Sequence, residues 1–298
     1  MTAADRARYD DAALRASATI IDAYSTSFGR AARMLAEPVR TQVRSIYGLV
    51  RLADEIVDGA FDGTTVEDRR ELLDDLEAEA SRAVERGYST NLTVHAFALT
   101  ARAAGIDAEL TQPFFESMRT DLARTEHDAS SLGAYVHGSA EVVGLMCLRV
   151  FLLDTPGDAA DRQARYEHLA PGAVALGAAF QKVNFLRDLA ADRAELGRNY
   201  LQVAPTRLTD AERDRILDDI DADLALARQT IGELPRSCRR GVLAAHALFA
   251  ALSHQLRRTP AATIAARRVR VPTRTKVAVL ARVALVDARL GRTREVTP

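Results

Sequence analysis

Apolar residues recur along almost the whole chain at spacings of three and four, and the period-two alternation of half-buried strands is scarce. Helix breakers divide this pattern into segments. The first predicted helix covers residues 10–35 and ends before Pro38; the second starts at Val39 and stops at Asp58-Gly59. A charged amphipathic helix over 65–86 ends at Gly87, and helices over 91–104 and 108–126 follow on either side of Gly105. Residues 130–154 are apolar and carry Gly133, Gly138 and Gly144. Pro171-Gly172 is predicted to separate a helix over 158–170 from one over 172–193. Segments 210–232, 236–258 and 273–290 complete the set. Some of these helices are nearly apolar or small-residue-rich all round, which suits central helices wrapped by others. No internal repeat, linker or composition shift marks a boundary, so the pattern predicts one all-α domain over 1–298.

Composition narrows the function without deciding it. The 298 residues are 48% hydrophobic and 27% charged, enough for a large core, and the formal net charge of -1 argues against nucleic acid as a partner. Two cysteines, Cys147 and Cys238, have no metal spacing and fit a reducing compartment. The N-terminus lacks an apolar signal core, and the longest apolar runs, 142–153 and 241–252, are too short to cross a bilayer. A cytoplasmic location is therefore expected. The glycine spacing of a dinucleotide fold is absent, so NADPH is not expected as a cofactor. The segment 257–298 stands apart: eleven basic residues face Asp287 and Glu295, interleaved with Val277, Val279, Leu280, Val283, Leu285 and Leu290. It reads either as a basic amphipathic helix for an anionic membrane surface, at the inner face of the cell membrane, or as a helix closing the bundle with solvated arginines. Oligomeric state is not legible.

Candidate chemistry sits in two acidic stretches, one around Asp54, Glu55 and Asp58, the other around Asp188 and Asp192. Two carboxylates four residues apart on a helix lie on one face, roughly 6 Å apart along the axis, and repel each other. A hard divalent cation, Mg²⁺ or Mn²⁺, removes that repulsion and completes its shell with water and phosphate oxygens. Tyr47, Arg51, Asp54 and Asp58 form one stripe; Gln181, Asn184, Asp188 and Asp192 form another, with Arg187 beside it. A polar stripe on a helix otherwise built of Val174, Leu176, Phe180, Val183, Phe185 and Leu186 is costly to bury unpaired. Two such stripes argue for a metal clamp around a diphosphate rather than two incidental solvated faces.

These segments, in order, resemble the squalene/phytoene synthase family of head-to-head prenyl transferases, from Tyr24 to about Leu290. The resemblance is carried by Tyr24-Ser25-Thr26-Ser27-Phe28, by Ile46 through Ala53 leading into the first acidic stretch, by Tyr135-Val136-His137-Gly138, and by Leu176 through Gln181 into the second stretch, closing with Gly197-Arg198-Asn199-Tyr200-Leu201. It implies an isoprenoid-synthase helical bundle around a central cavity, acting on prenyl diphosphates. By position it implies that Asp54, Asp58, Asn184, Asp188 and Asp192 hold Mg²⁺. Ser25, Ser27, Arg51, Gln181 and Arg187 would contact diphosphate, and Tyr47, Tyr135 and Tyr200 would line the reacting centre. Phe28, Tyr47 and Phe185 offer aromatic faces to a carbocation, and Ala32, one turn beyond Phe28, leaves depth for a long prenyl tail. The implied reaction joins two geranylgeranyl diphosphates through a cyclopropylcarbinyl diphosphate to phytoene; farnesyl diphosphate giving squalene or dehydrosqualene is the alternative, and a non-catalytic scaffold relative is a third reading. One departure is Ser139-Ala140-Glu141, where many members carry Val-Ala-Gly; Glu141 is expected on the helix exterior. Asp121 falls where the family is often acidic, though a surface ion pair explains it equally well, and His127 reads as part of a solvated helix end.

Overall fold

The computed structural model describes residues 2–25, 27–59, 63–201, 203 and 208–295; the side chains of 27 and 288–295 lie outside that description. Among the described residues there are thirteen α-helices: α1 Ala3–Tyr24, α2 Ser27–Ala32, α3 Val39–Asp58, α4 Val66–Arg86, α5 Leu92–Ala104, α6 Ala108–Ala123, α7 Ala129–Val136, α8 Val142–Phe151, α9 Ala159–Glu195, α10 Asp210–Ile231, α11 Arg236–Arg257, α12 Ala261–Ala266 and α13 Thr273–Glu295. The all-α expectation holds.

Local chemistry accounts for most boundaries. Thr65, Asp158 and Thr209 each close a capping box with the third residue of the helix that follows. The predicted helix over 10–35 is two helices, because Ser25 is extended and its Oγ accepts the Gly29 N–H at 3.2 Å, starting α2 afresh. The predicted apolar helix over 130–154 is also divided, by a π turn, His137–Glu141, between α7 and α8.

Pro171 does not end its helix. α9 runs 37 residues without a break, roughly 55 Å. Pro171 and the Glu167 whose carbonyl loses its hydrogen bond are both exposed, so water can satisfy that oxygen. One step on, a Cβ at Gly172 would collide with Thr230, so α10 packs tightly there and holds the helix together.

Among the described residues two large apolar cores result, with a smaller cluster of Tyr135, Val136, Ala178, Phe185 and Tyr200. One joins α2 through α6, α8 and α11 around α3, which touches α1, α2, α4, α5, α6 and α8. The other packs the later half of α9 against α10, α11 and α12. The acidic half of α3 and the acidic half of α9 are thus carried on well-buried helices. An isolated bridge between Glu126 and Asn199, with the Asn199 N–H donating to Thr125 O at 2.7 Å, draws the chain after α9 against the end of α6. Among the described residues no helix is long and apolar enough to cross a membrane.

Candidate functional site

On α3 the expected stripe forms. The Arg51 guanidinium lies over the exposed Tyr24 ring, 4.4 Å from its centroid, is hydrogen bonded to Glu55 and sits 3.9 Å from Asp54. Burial, then the neighbouring Asp58, pushes the Asp54 carboxyl up to about 7. Phe28 and Tyr47 stack at 5.8 Å, bringing α2 onto this stripe. Ala32 is buried at the end of α2, and its neighbours Ala31 and Leu35 meet Gly241 of α11. The side chain of Ser27 lies outside the described residues.

On α9, Asn184, Arg187, Asp188 and Asp192 share one flank, with Gln181 half-buried a turn earlier. Asp188 accepts from Arg187 Nε at 2.8 Å and from Arg268 Nε at 2.8 Å. Burial, then Asp188, pushes Asp192 up to about 7; Asp58 on α3 also raises it, so the two acidic halves feel each other. Asn184 Oδ1 is buried without a hydrogen-bond partner.

The link between the halves is a residue the sequence reading left without a role. Arg198, 8% exposed, donates to Asp58 at 3.0 Å and to Val57 O at 3.3 Å, and lies 3.8 Å from the Asp121 carboxylate. Asp121 is no surface ion pair: its side chain is 6% exposed and accepts the Tyr135 hydroxyl at 2.6 Å and the Tyr200 hydroxyl at 2.9 Å. Burial pushes its carboxyl up to about 6 against the opposing pull of Arg198. His127 is likewise buried rather than solvated, against Tyr135 and Tyr200. Glu141, expected on the helix exterior, is half-buried and pairs with the exposed His137 at 2.9 Å.

A second surprise is cationic. Burial lowers Arg268, with Arg187 next in effect, and burial lowers Lys276, followed by Arg30, Arg187 and Arg270. Arg187 and Arg268 therefore meet on Asp188, and the charges of Arg30, Arg270 and Lys276 bear on this basic region. Arg268 of the C-terminal basic segment, expected to face solvent or membrane, is paired with Asp188 instead. No spacing signal links residues 30, 187, 268 and 276; only the tertiary fold does. α13 itself is fixed to α11 by the buried Arg239, which donates to Asp287 at 2.9 Å.

Among the described residues no three imidazole, thiol or carboxyl groups converge tightly enough to hold one ion. The donor chemistry nonetheless fits a hard divalent cation: carboxylates that raise one another's proton affinity, and an orphaned amide oxygen, all oxygen donors.

The squalene/phytoene synthase family model matches residues 21–275, most of the chain. This chain belongs to the squalene/phytoene synthase family. Membership places it among the prenyltransferase enzymes. The family member is 27% identical over 251 residues to a 15-cis-phytoene synthase of a Paracoccus strain, covering 78% of this chain and 79% of that protein. It is 31% identical over 201 residues to phytoene synthase 1 of Zea mays, covering 65% of this chain but 46% of the maize protein. In solved structures the fold is similar to a dehydrosqualene synthase, with a TM-score of 0.76 at 19% identity over 94% of this chain and 98% of the other. A squalene synthase of Alicyclobacillus acidocaldarius gives 0.68 at 20% identity over 83% and 94%. At these identities the structural likeness speaks for the isoprenoid-synthase fold alone.

Proposed function

We propose that this family member condenses two geranylgeranyl diphosphates head to head, through a cyclopropylcarbinyl diphosphate, to phytoene, releasing both diphosphates. The observation that carries the reading is that the acidic ends of α3 and α9 lie near enough for Asp58 to raise Asp192, with Arg51 beside Asp54 on one and Arg187 and Arg268 on Asp188 of the other. Those cations would bind and orient a diphosphate and stabilise the charge that builds on it as it leaves. Asp54, Asp58, Asn184, Asp188 and Asp192 would hold Mg²⁺, and Mn²⁺ would serve in its place. Bound, the metal supplies Lewis-acid charge to the leaving group. Ser25, Ser27 and Gln181 would contact diphosphate, and the stacked Phe28 and Tyr47 would offer an aromatic face to the allylic cation. The choice of geranylgeranyl over farnesyl diphosphate rests on relatives named phytoene synthase. Farnesyl diphosphate is the alternative. No nicotinamide reductant enters the reaction proposed.

In this reading residues 1–298 act as one unit whose 257–298 segment both completes the basic cluster and turns Val277 and Leu285 of α13 outward, 58% and 66% exposed, toward an anionic membrane that supplies apolar substrate. The deciding experiment supplies labelled farnesyl or geranylgeranyl diphosphate with Mg²⁺, with and without NADPH or chelator. A C40 hydrocarbon from the longer substrate, formed without NADPH and lost on chelation, is expected. Preference for farnesyl diphosphate overturns the chain length, turnover after exhaustive chelation overturns the metal role, and no product from either substrate overturns the reading.

A further inference from the structure

Tyr135 is gripped at both ends from a single turn of α6. Its backbone carbonyl accepts from Ser117 Oγ at 3.2 Å, and its hydroxyl donates to Asp121 Oδ2 at 2.6 Å. Ser117 and Asp121 are four residues apart and so share a face. The same carboxylate takes the Tyr200 hydroxyl on its other oxygen at 2.9 Å. Tyr200 is held by its ring as well, between Phe185 at 4.3 Å and 14° and His127 at 5.5 Å and 22°. A phenol has one proton to donate. Both protons are spent on Asp121, so each hydroxyl has only its lone pairs to offer anything else. A phenol that hydrogen bonds to a carboxylate is polarised toward phenolate, and buried networks strengthen that effect.

Arg198 donates to Asp58 at 3.0 Å, to Val57 O at 3.3 Å and to the Asp121 backbone carbonyl at 3.4 Å, and lies 3.8 Å from the Asp121 carboxylate, so it ties Asp121 to the last turn of α3. Four pieces of chain therefore meet on one buried acid: α3, α6, α7 and the segment after α9. The charge of Arg198 is shared between Asp121 and Asp58 and keeps the acidic end of α3 in place.

We propose that Asp121 is a positioning residue of the active site: it fixes Tyr135 and Tyr200 as acceptors that cannot protonate the substrate or leaving group, and it anchors Arg198 against Asp58. The proposal rests on the carbocation chemistry proposed above, in which the electron-rich oxygen of a phenol whose proton is held on Asp121 steadies a nearby cation by its charge. Tyr135 and Tyr200 then act as one unit with Asp121 rather than as separate acid–base groups.

Units of this kind lose function together, so their losses do not multiply. The test measures kcat and KM for Asp121→Asn, Tyr135→Phe and Tyr200→Phe, and for the pairs Asp121→Asn/Tyr135→Phe and Tyr135→Phe/Tyr200→Phe. Circular dichroism and thermal midpoints set the folded fraction. Asp121→Asn is expected to lower kcat per folded molecule by about tenfold or more with KM within about threefold, and each double variant should be no slower than its worse parent. A purely structural role would lower the midpoint and leave kcat per folded molecule unchanged. Losses that multiply, or an Asp121→Asn variant with wild-type kcat, overturn the proposal. If Asp121→Asn does not fold, the tyrosine pair decides alone, because Phe keeps both rings and removes only the oxygens. A wild-type protein inactive on both prenyl diphosphates sinks the functional reading; an active one with multiplying losses sinks only the role of Asp121.

Discussion

A single methyl group at Gly177 tests whether the acidic half of α9 is placed by close backbone packing. A Cβ there would lie 2.5 Å from Ala140 O, with Glu141 Cα at 3.0 Å, both in the π turn after Tyr135. Ordinary contact starts near 3.4 Å, so about 0.9 Å of separation must be found. The obstacle is backbone, which cannot swing aside as a side chain does. Overpacking of this kind costs up to about 3 kcal/mol, and replacing glycine by alanine within a helix returns about 1 kcal/mol. The net expectation for Gly177→Ala is a loss of about 2 kcal/mol, or a thermal midpoint lower by about 4 °C for a domain of this size. Gly177 lies one turn before Gln181, and Ala140 follows Tyr135 by five residues, so the two sides of the site are pushed apart. A displacement near 1 Å can cost on the order of 100-fold in rate, and a fall in kcat of about tenfold or more is expected. Calorimetry and steady-state kinetics check both numbers. Gly133→Ala is the internal control: it is exposed in α7, a Cβ there meets nothing within 4 Å, and the same substitution should stabilise by about 0.5–1 kcal/mol. Equal midpoints for the two variants would refute the argument from close approach.

Asp54→Ala and Asp188→Ala should each abolish turnover with the helical circular dichroism spectrum retained, since each removes one side of the diphosphate site; substantial residual activity in either removes the two-cluster mechanism. Stability without divalent ions should fall as pH rises from about 4 to about 7: burial with like-charged neighbours holds Asp54 and Asp192 at about 7 and Asp121 at about 6, so the folded chain keeps protons that the unfolded chain releases in that window. Urea midpoints at about pH 5 and pH 7.5 check the sign, and Mg²⁺ should narrow the difference at the higher pH; a metal-free midpoint that rises with pH contradicts it. Val277→Ser/Leu285→Ser should weaken co-sedimentation with anionic vesicles, and binding that is equal on neutral vesicles would favour bundle closure as the role of α13. Ala32→Phe should shift product masses toward the farnesyl-derived hydrocarbon in a two-substrate competition, at an overpacking cost of about 1–3 kcal/mol; an unchanged product ratio at normal stability would mean that Ala32 does not border the prenyl tail.

What the sequence determined by itself is whatever local spacing can encode. Period-three-and-four hydrophobicity gave the helices, capping residues such as Thr65 and Thr209 gave their starts, and the four-residue steps Asp54–Asp58 and Asp188–Asp192 gave two acidic stripes with Arg51 and Arg187 in register. Propensity misled at Pro171 because solvent exposure of the affected carbonyl and tight packing of Thr230 on Gly172 are tertiary facts. It misled at residue 25 for a local reason, a serine hydroxyl competing for a backbone N–H. Which distant residues meet was decided by the fold alone. Asp121, His127 and Arg198 carry no periodic signal, and an isolated carboxylate, imidazole or guanidinium in a sequence looks the same whether solvated or buried. Only when α6 is laid beside α7 and the segment after α9 does Asp121 receive two phenols and a guanidinium. Likewise Arg187 and Arg268, far apart in the chain, meet on the one carboxylate of Asp188 only because the fold lays the 267–272 connection against α9.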